Sequence, residues 1–505
     1  MALNISSTLA LAVASYILFI AVKQIVYYRF FHPLAKFPGP FWGSVTRLWL
    51  AYHNFMADEC EVVKELHDKY GPVIRITPTM LLVSEAAKMP EIYHRTAHKT
   101  QHYITGSFGA EESVFNMQDP KVHARFRKIS AAPYGFTNVK KMEPLMDALI
   151  RRWTAQLDAR FADTGEDFDF APWSVYLAYD IIGDIGFGAP FGFVEQGRDV
   201  DGLMRGFHDG TLAFGLLARL YPFTNWVKGT FLGKYLVANA EQDTGVGVLM
   251  RFRDRLIKQR LEDIKKGDLK GRVDLLQTYL EARDENGKPL DIEYIKVETL
   301  LVLLAGAVTT GTASQALMRE IAAHPAVYAR VMAELDRATR AGQLSADVPQ
   351  YQEVEAHCPY FVACVRESMR LNPPVASIFP RLAPRGGLEL YGAFAPEGTE
   401  LAGNARVVNR DPGMYGADAE AFRPERWLED AKRAQEFGKH SMSFGFGPRI
   451  CLGREIVYME LYKATLQFLR TFRPTVVEAG RYVYKGGITS YENEIMRIER
   501  RTTGS

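Results

Sequence analysis

The polarity of the chain changes character once, close to its start. Residues 3–22, LNISSTLALAVASYILFIAV, carry no charged side chain, and Lys23, Arg29 and Lys36 follow. About twenty uncharged, mainly apolar residues match the hydrocarbon thickness of a bilayer as one helix. Cations on the C-terminal side of such a helix place the rest of the chain in the cytoplasm. A cleaved signal peptide is the rival reading, but no basic segment precedes the run, and the run is longer than such peptides use. HPLAKFPGPFWG comes next, and its Pro33, Pro38, Pro40, Gly39 and Gly43 stop any helix and predict a stiff connector. The expected organisation is an anchor over 1–30, a connector over 31–45 and one body over 46–505.

Within that body apolar residues recur mostly at helical spacing. The predicted helices run over about 57–70, 85–93, 121–131, 142–163, 173–187, 200–220, 235–266, 291–323, 325–341, 358–371 and 452–472. The last is typical, with Ile456, Val457, Met459, Leu461, Ala464, Leu466, Phe468 and Leu469 forming its buried face. Strands are few and short: VIRITP, MLLV, LELYG and TELAG alternate, scattered between helices. The fold class read from this is mainly α with a minor β-sheet, an α+β body.

Composition narrows the function. A chain of 505 residues, 47% hydrophobic, can bury a large core without being divided into several domains. Net charge is +2, and no basic stripe interleaves with aromatics, so nucleic acid is excluded as a partner. Four cysteines form no disulfide framework, which points to a reducing compartment for the body.

One of those cysteines stands in a chemically distinctive place. FGFGPRICLG, residues 444–453, sets Cys451 at the start of the last predicted helix. Unpaired N–H groups and the helix dipole favour a thiolate there, which is how a soft metal ligand is prepared. Zinc is a poor candidate, because none of Cys60, Cys358 or Cys364 stands at C-x-x-C or similar spacing from Cys451. Phe444, Gly447, Arg449, Cys451 and Gly453 fit F-x-x-G-x-R-x-C-x-G, and this segment resembles the haem-binding loop of the cytochrome P-450 family.

The resemblance extends from the proline connector through DIIGDIGFG, NRDP and FRPERW to the last strands, and is strongest with fungal members acting on plant defence compounds, aromatic acids or polyketide-type metabolites. It implies a P-450 fold with an N-terminal membrane helix, haem b ligated by the Cys451 thiolate, and a haem-thiolate monooxygenase over 46–505. It also implies that Glu367, Arg370 and Arg426 form a structural lock beneath the haem loop. His123, Arg127, Arg381 and Arg449 would meet the haem propionates, with Phe444 and Gly447 shaping the loop. AGAVTT resembles the oxygen-binding A-G-x-D/E-T-T, with Thr309 at the threonine that serves dioxygen and Thr310 beside it. Val308 departs from that pattern, since an acid is usual there. By family position the substrate pocket draws on Phe108, Ala305, Ala307, Ile378, Phe379 and Ile488.

No dinucleotide or flavin signature is present, so the electrons come from elsewhere. The implied donor is an NADPH-cytochrome P-450 reductase, with cytochrome b5 as a second candidate, at the endoplasmic reticulum membrane with the catalytic body cytosolic. Three rivals stay open at this stage. One is a haem-thiolate enzyme without net oxygen insertion, performing desaturation, coupling or rearrangement; the second is a haem-binding sensor; the third is an anchored helical protein without haem.

Overall fold

The computed structural model describes residues 2–106, 108–268 and 274–501. The expected body therefore ends, for structural purposes, at Arg501, and its last four residues lie outside the described ones. Helix α1 (Ala2–Val26) is the N-terminal apolar run. An apolar helical stretch over Ser7–Phe31 is long enough to cross a bilayer, and none of it is buried against the rest of the protein. It ends where His32 turns extended ahead of Pro33. The connector is tied down: the Arg75 N–H donates to the Pro38 carbonyl at 2.7 Å, and the Arg75 guanidinium donates to the Tyr28 carbonyl at 2.8 Å.

The body is mainly helical. Its principal elements are α2 (Pro120–Ser130), α3 (Phe136–Leu157), α4 (Phe170–Phe187), α5 (Leu203–Arg219), α6 (Val246–Lys266), α7 (Leu275–Glu281), α8 (Ile292–Gly306), α9 (Val308–Ala323), α10 (Pro359–Leu371) and α11 (Arg454–Glu460). Side-chain caps set several starts. Asp119 accepts from the N–H groups of Lys121 and Val122 ahead of α2, Asp169 from Ala171 ahead of α4, and Asp291 from Glu293 ahead of α8. Helix α4 is apolar on nearly every side and buried along almost its whole length, which makes it a central post of the core. Helix α9 packs along it.

The strands form three small sheets. One has the order β1 (Val73–Thr77), β2 (Met80–Val83), β7 (Glu400–Ala402), β4 (Arg381–Leu382), antiparallel except for the parallel β2–β7 pair. The second is β3 (Phe168–Asp169), β9 (Ile488–Arg500), β8 (Phe472–Lys485), and the third pairs β5 (Leu388–Leu390) with β6 (Ala393–Ala395).

Three expectations are corrected. The helix expected over 235–266 begins only at Val246, because Gly245 takes φ +58° just before it. The helix expected over 291–323 is broken at Ala307. Not all strands are short, since β8 and β9 make a hairpin of 14 and 13 residues. Much of β8 faces solvent and it contains Pro474 and Gly480, so it lacks the clean apolar alternation by which a half-buried strand is recognised.

Candidate active site

Cys451 lies two residues before the Gly453 cap of α11, in a loop closed by the Cys451 N–H donating to the Phe444 carbonyl at 2.9 Å. Gly447 takes φ +68°, and a Cβ there would collide with the Tyr93 carbonyl, so the loop requires glycine at that position. The Cys451 side chain opens onto an internal cavity while lying deep in the protein. Burial pushes its thiol up; the N–H groups of Gly453 and Arg454 and the charge of Arg127 pull the other way without reversing the shift. The helix terminus alone therefore does not make a thiolate, and a bound cation is what would complete the deprotonation.

The cavity has a volume of ≈ 360 Å³, within the range of small-molecule sites. One end is crowded with cations: Lys99, Arg127, Arg381 and Arg449 line it together with His123. Arg127 donates to the Ile450 carbonyl at 2.6 Å, and Arg449 to the carbonyls of Met117 at 2.7 Å and Gln118 at 3.0 Å. Arg381 donates to the Tyr103 hydroxyl at 2.7 Å and the Pro380 carbonyl at 3.1 Å, and Lys99 donates to the Phe115 carbonyl. Among the described residues, none of these four cations hydrogen-bonds a carboxylate. Burial and then the neighbouring cations depress three of the groups here: Arg449 falls to about 10, Lys99 well below its ordinary value, and His123 to about 3. Such a group of buried and half-buried, mutually repelling cations is arranged for an anion.

Another part of the wall is the junction of α8 and α9. At the Ala307 break the Thr309 hydroxyl donates to the Ala305 carbonyl at 2.6 Å and the Thr310 hydroxyl to the Gly306 carbonyl at 2.8 Å. Carbonyls at a helix end lack backbone partners, and the two threonines satisfy them. Gly306 is required by close approach, since a Cβ there would collide with Ile182 on α4. Thr309 and Thr310 both line the cavity, whereas Val308 is 2% exposed and packs into the main core.

Sequence comparison bears on what this site is. The profile of the cytochrome P450 family matches residues 19–483. The chain belongs to the cytochrome P450 family. It is 39% identical over 458 residues to the quiannulatic acid synthase of Emericella variicolor, covering 89% of each chain. It is 31% identical to the cytochrome P450 monooxygenase gsfF of Penicillium aethiopicum, over 91% of this chain and 92% of that one. It is 30% identical to the cytochrome P450 monooxygenase pkfB of Emericella nidulans, over 88% and 87%. This cytochrome P450 is thus a haem-thiolate oxidoreductase of the fungal secondary-metabolite type.

Of the pocket residues expected in this P450, Phe108, Ala305, Phe379 and Ile488 lie on the cavity wall, as does Phe444 in the loop. Ala307 and Ile378 do not. Ala307 is fully buried in the main core, two residues round the helix from Ala305. Ile378 pairs with Asn404 in a β-bridge and turns into the cluster beneath β1 and β2, leaving its neighbours Ser377 and Phe379 to face the cavity.

Beneath the cysteine loop, Glu367 is fully buried and every partner is in place. Its carboxylate accepts from Arg370 at 2.7 and 2.8 Å, Arg426 Nε at 2.8 Å, the Trp427 indole at 2.9 Å and the Arg423 N–H at 3.0 Å. Burial alone would raise this carboxyl; the hydrogen bonds and charges of Arg370 and Arg426 hold it below its ordinary value. Arg370 continues to the carbonyls of Asn409 and Ala419, joining α10 to the chain ahead of the loop.

Two charged cavity residues escaped the sequence reading. Lys99 reaches the cationic end because a β-bridge pairs it with Arg381, a contact no local spacing reveals. Glu298, on α8, is a carboxyl in the cavity wall. In the sequence it is one of three charged residues in the first half of α8, with Glu293 and Lys296, and nothing local sets it apart from them.

Proposed function

We propose that this P450 is a membrane-anchored monooxygenase that inserts one atom of dioxygen into a C–H bond of a small, largely apolar metabolite in fungal secondary metabolism. Its cofactor is haem b, and its electrons come from a separate NADPH-cytochrome P-450 reductase. The observation that carries this reading is the shared cavity, lined by Cys451 and by a group of buried and half-buried cations with no carboxylate partner among the described residues. These residues fit haem: Cys451 would supply the thiolate ligand, and Arg127, Arg381 and Arg449, with His123 and Lys99, would receive the two propionates. When bound, haem supplies activation of dioxygen with electrons from the reductase.

The chain's own residues do the rest. Arg127, Arg381 and Arg449 would neutralise the propionates and so hold the bound cofactor in place. The Glu367 lock holds the region from which the cysteine loop departs. Thr309 offers a hydroxyl in the cavity wall, and by exchanging its bond to the Ala305 carbonyl it can donate a hydrogen bond to an oxygen in the cavity, relaying a proton only as it accepts another from water. Phe108, Phe379 and Ile488 exclude water and hold an apolar substrate. The anchor over 1–30 places the body on the endoplasmic reticulum membrane, the connector over 31–45 orients it, and the exposed Trp226 and Phe231 supply a second apolar contact with the bilayer.

The test is product analysis. Microsomes holding the protein and a reductase are given a metabolite library under 18O-labelled dioxygen. The reading expects a product one labelled oxygen heavier than its substrate. Products lighter by two hydrogens with no label would establish desaturation instead, and no NADPH-dependent conversion at all would leave a haem sensor.

A further inference from the structure

The cavity is charged asymmetrically. Its cations gather at one end, and Glu298 is the only carboxyl among the described residues that line it. Glu298 is 2% exposed. It accepts from the Val114 N–H at 2.6 Å and is hydrogen-bonded by the Tyr294 hydroxyl. Tyr294 in turn meets Ser130 at 3.0 Å. Much of the rest of the lining is apolar, including Phe108 stacked on Phe214 at 4.6 Å, Val302 and Ile488. Helical geometry sets the spacing. Positions 298, 305 and 309 fall on one face of the α8–α9 line, so Glu298 stands about 10 Å from Ala305 and about 16 Å from Thr309 along the axis.

We propose that Glu298 determines specificity by hydrogen-bonding an oxygen group of the substrate, a hydroxyl or carbonyl carried some ten ångströms or more from the carbon that is oxidised. The inference rests on the monooxygenase reading and adds the substrate class: an elongated, mostly apolar molecule with one oxygenated end. Discrimination follows from burial, because a hydrocarbon of the same shape leaves the carboxyl without that partner. Burial also raises this carboxyl to about 7, against the hydrogen bonds of Val114 and Tyr294. The other titratable groups facing it are Tyr134 and Tyr279, and burial raises both well out of the neutral range. Near neutrality Glu298 therefore exchanges an O–H donor for a carboxylate that only accepts.

The test uses the haem-loaded full-length protein and three rigid probes: 5α-androstane, 5α-androstan-3β-ol and 5α-androstan-3-one. Affinities are read from the ligand-induced shift of the haem absorption. The wild type is expected to bind the alcohol about tenfold more tightly than the hydrocarbon, the worth of one hydrogen bond to a buried group. Glu298→Leu should bind both alike. The ketone needs a donor, so its binding to the wild type should weaken between pH 6 and pH 8. Glu298→Gln keeps a carbonyl for the Val114 N–H and keeps donors at every pH, so its ketone binding should not change with pH. A role confined to holding Val114 would not respond to the oxygen of the probe. Equal affinity for alcohol and hydrocarbon in the wild type, no binding of any probe, or ketone binding with the same pH profile in wild type and Glu298→Gln overturns the proposal, even if Glu298→Leu does not fold. The reduced, CO-bound spectrum of the same samples separates the two failures. A thiolate-type spectrum without these preferences overturns the role of Glu298 alone, and absence of that spectrum overturns the monooxygenase reading.

Discussion

Thr309 and Val308 are adjacent, yet the break at Ala307 gives them different surroundings. Thr309 lines the cavity with a hydroxyl held by the Ala305 carbonyl, and Val308 is packed in the core. An acid at 308 would be a buried charge in this fold, so valine there is a packing choice. Thr309→Val, which keeps shape but removes the hydroxyl, should lower the fraction of NADPH electrons recovered in product and raise peroxide. Val308→Thr should leave that fraction unchanged. The comparison is a product-to-peroxide ratio, and equal ratios for Thr309→Val and wild type would remove Thr309 from proton handling. Glu460, the last residue of α11, shows the opposite side of burial, which raises its carboxyl to about 8. In the unfolded chain it ionises near the ordinary carboxylate value of about 4.3. Its neutral form is thus favoured by folding, a contribution complete below about pH 4.3 and lost as pH rises to about 8. Relative to wild type, Glu460→Gln should gain thermal stability progressively from pH 5 to pH 8 and no further above that. A stability difference independent of pH would contradict the assignment.

At the scale of elements, the join between α10 and the segment ahead of the cysteine loop is held by the Glu367 cluster, and its loss should be costly. Removing one partner leaves the others buried and uncompensated, at about 3–5 kcal/mol. Glu367→Ala or Arg370→Ala should therefore lose haem and melt lower, with no separate effect on substrate choice. Glu425 serves as the control. It bonds Tyr360 and the exposed Arg330 from a half-exposed position, and Glu425→Ala should cost about 1 kcal/mol or less. A Glu367→Ala protein with normal haem content and altered products would contradict the structural role. The sequence displays these features unequally. Cys451 with its glycines, and Glu367 with Arg370, are legible because their spacing is local. Lys99 is not, because strand pairing delivers it to the cavity, and Glu298, although it shares a helical face with Ala305 and Thr309, belongs to no motif that marks it out. Ile378 was misplaced by one residue for a related reason: which face of an extended segment looks inward depends on its partner, here Asn404. The β8–β9 hairpin eluded the pattern because a half-exposed ribbon carries little apolar alternation.

For the whole molecule, the apolar run and the haem-binding body are, under the proposed function, separate units, joined where Arg75 meets the Tyr28 carbonyl. Ser7–Phe31 is not buried against the body, while the second long apolar stretch, Ile292–Ala323, is 72% buried and serves as core. Deleting residues 1–30 should shift the protein at least partly from membrane to soluble fraction while leaving its haem spectrum intact. Residual membrane binding is expected to fall further when Trp226 and Phe231 are also replaced by serine. A truncated protein that stays folded but loses haem would show that the run supports the site. The claim on which all else depends is that Cys451 is the haem ligand, and the reduced, CO-bound absorption spectrum of purified wild type and Cys451→Ser tests it directly. The account predicts a thiolate-type spectrum for the wild type, lost in the variant together with monooxygenase activity, since a serine hydroxyl supplies no thiolate. A Cys451→Ser protein that kept the thiolate-type spectrum and the activity would contradict it.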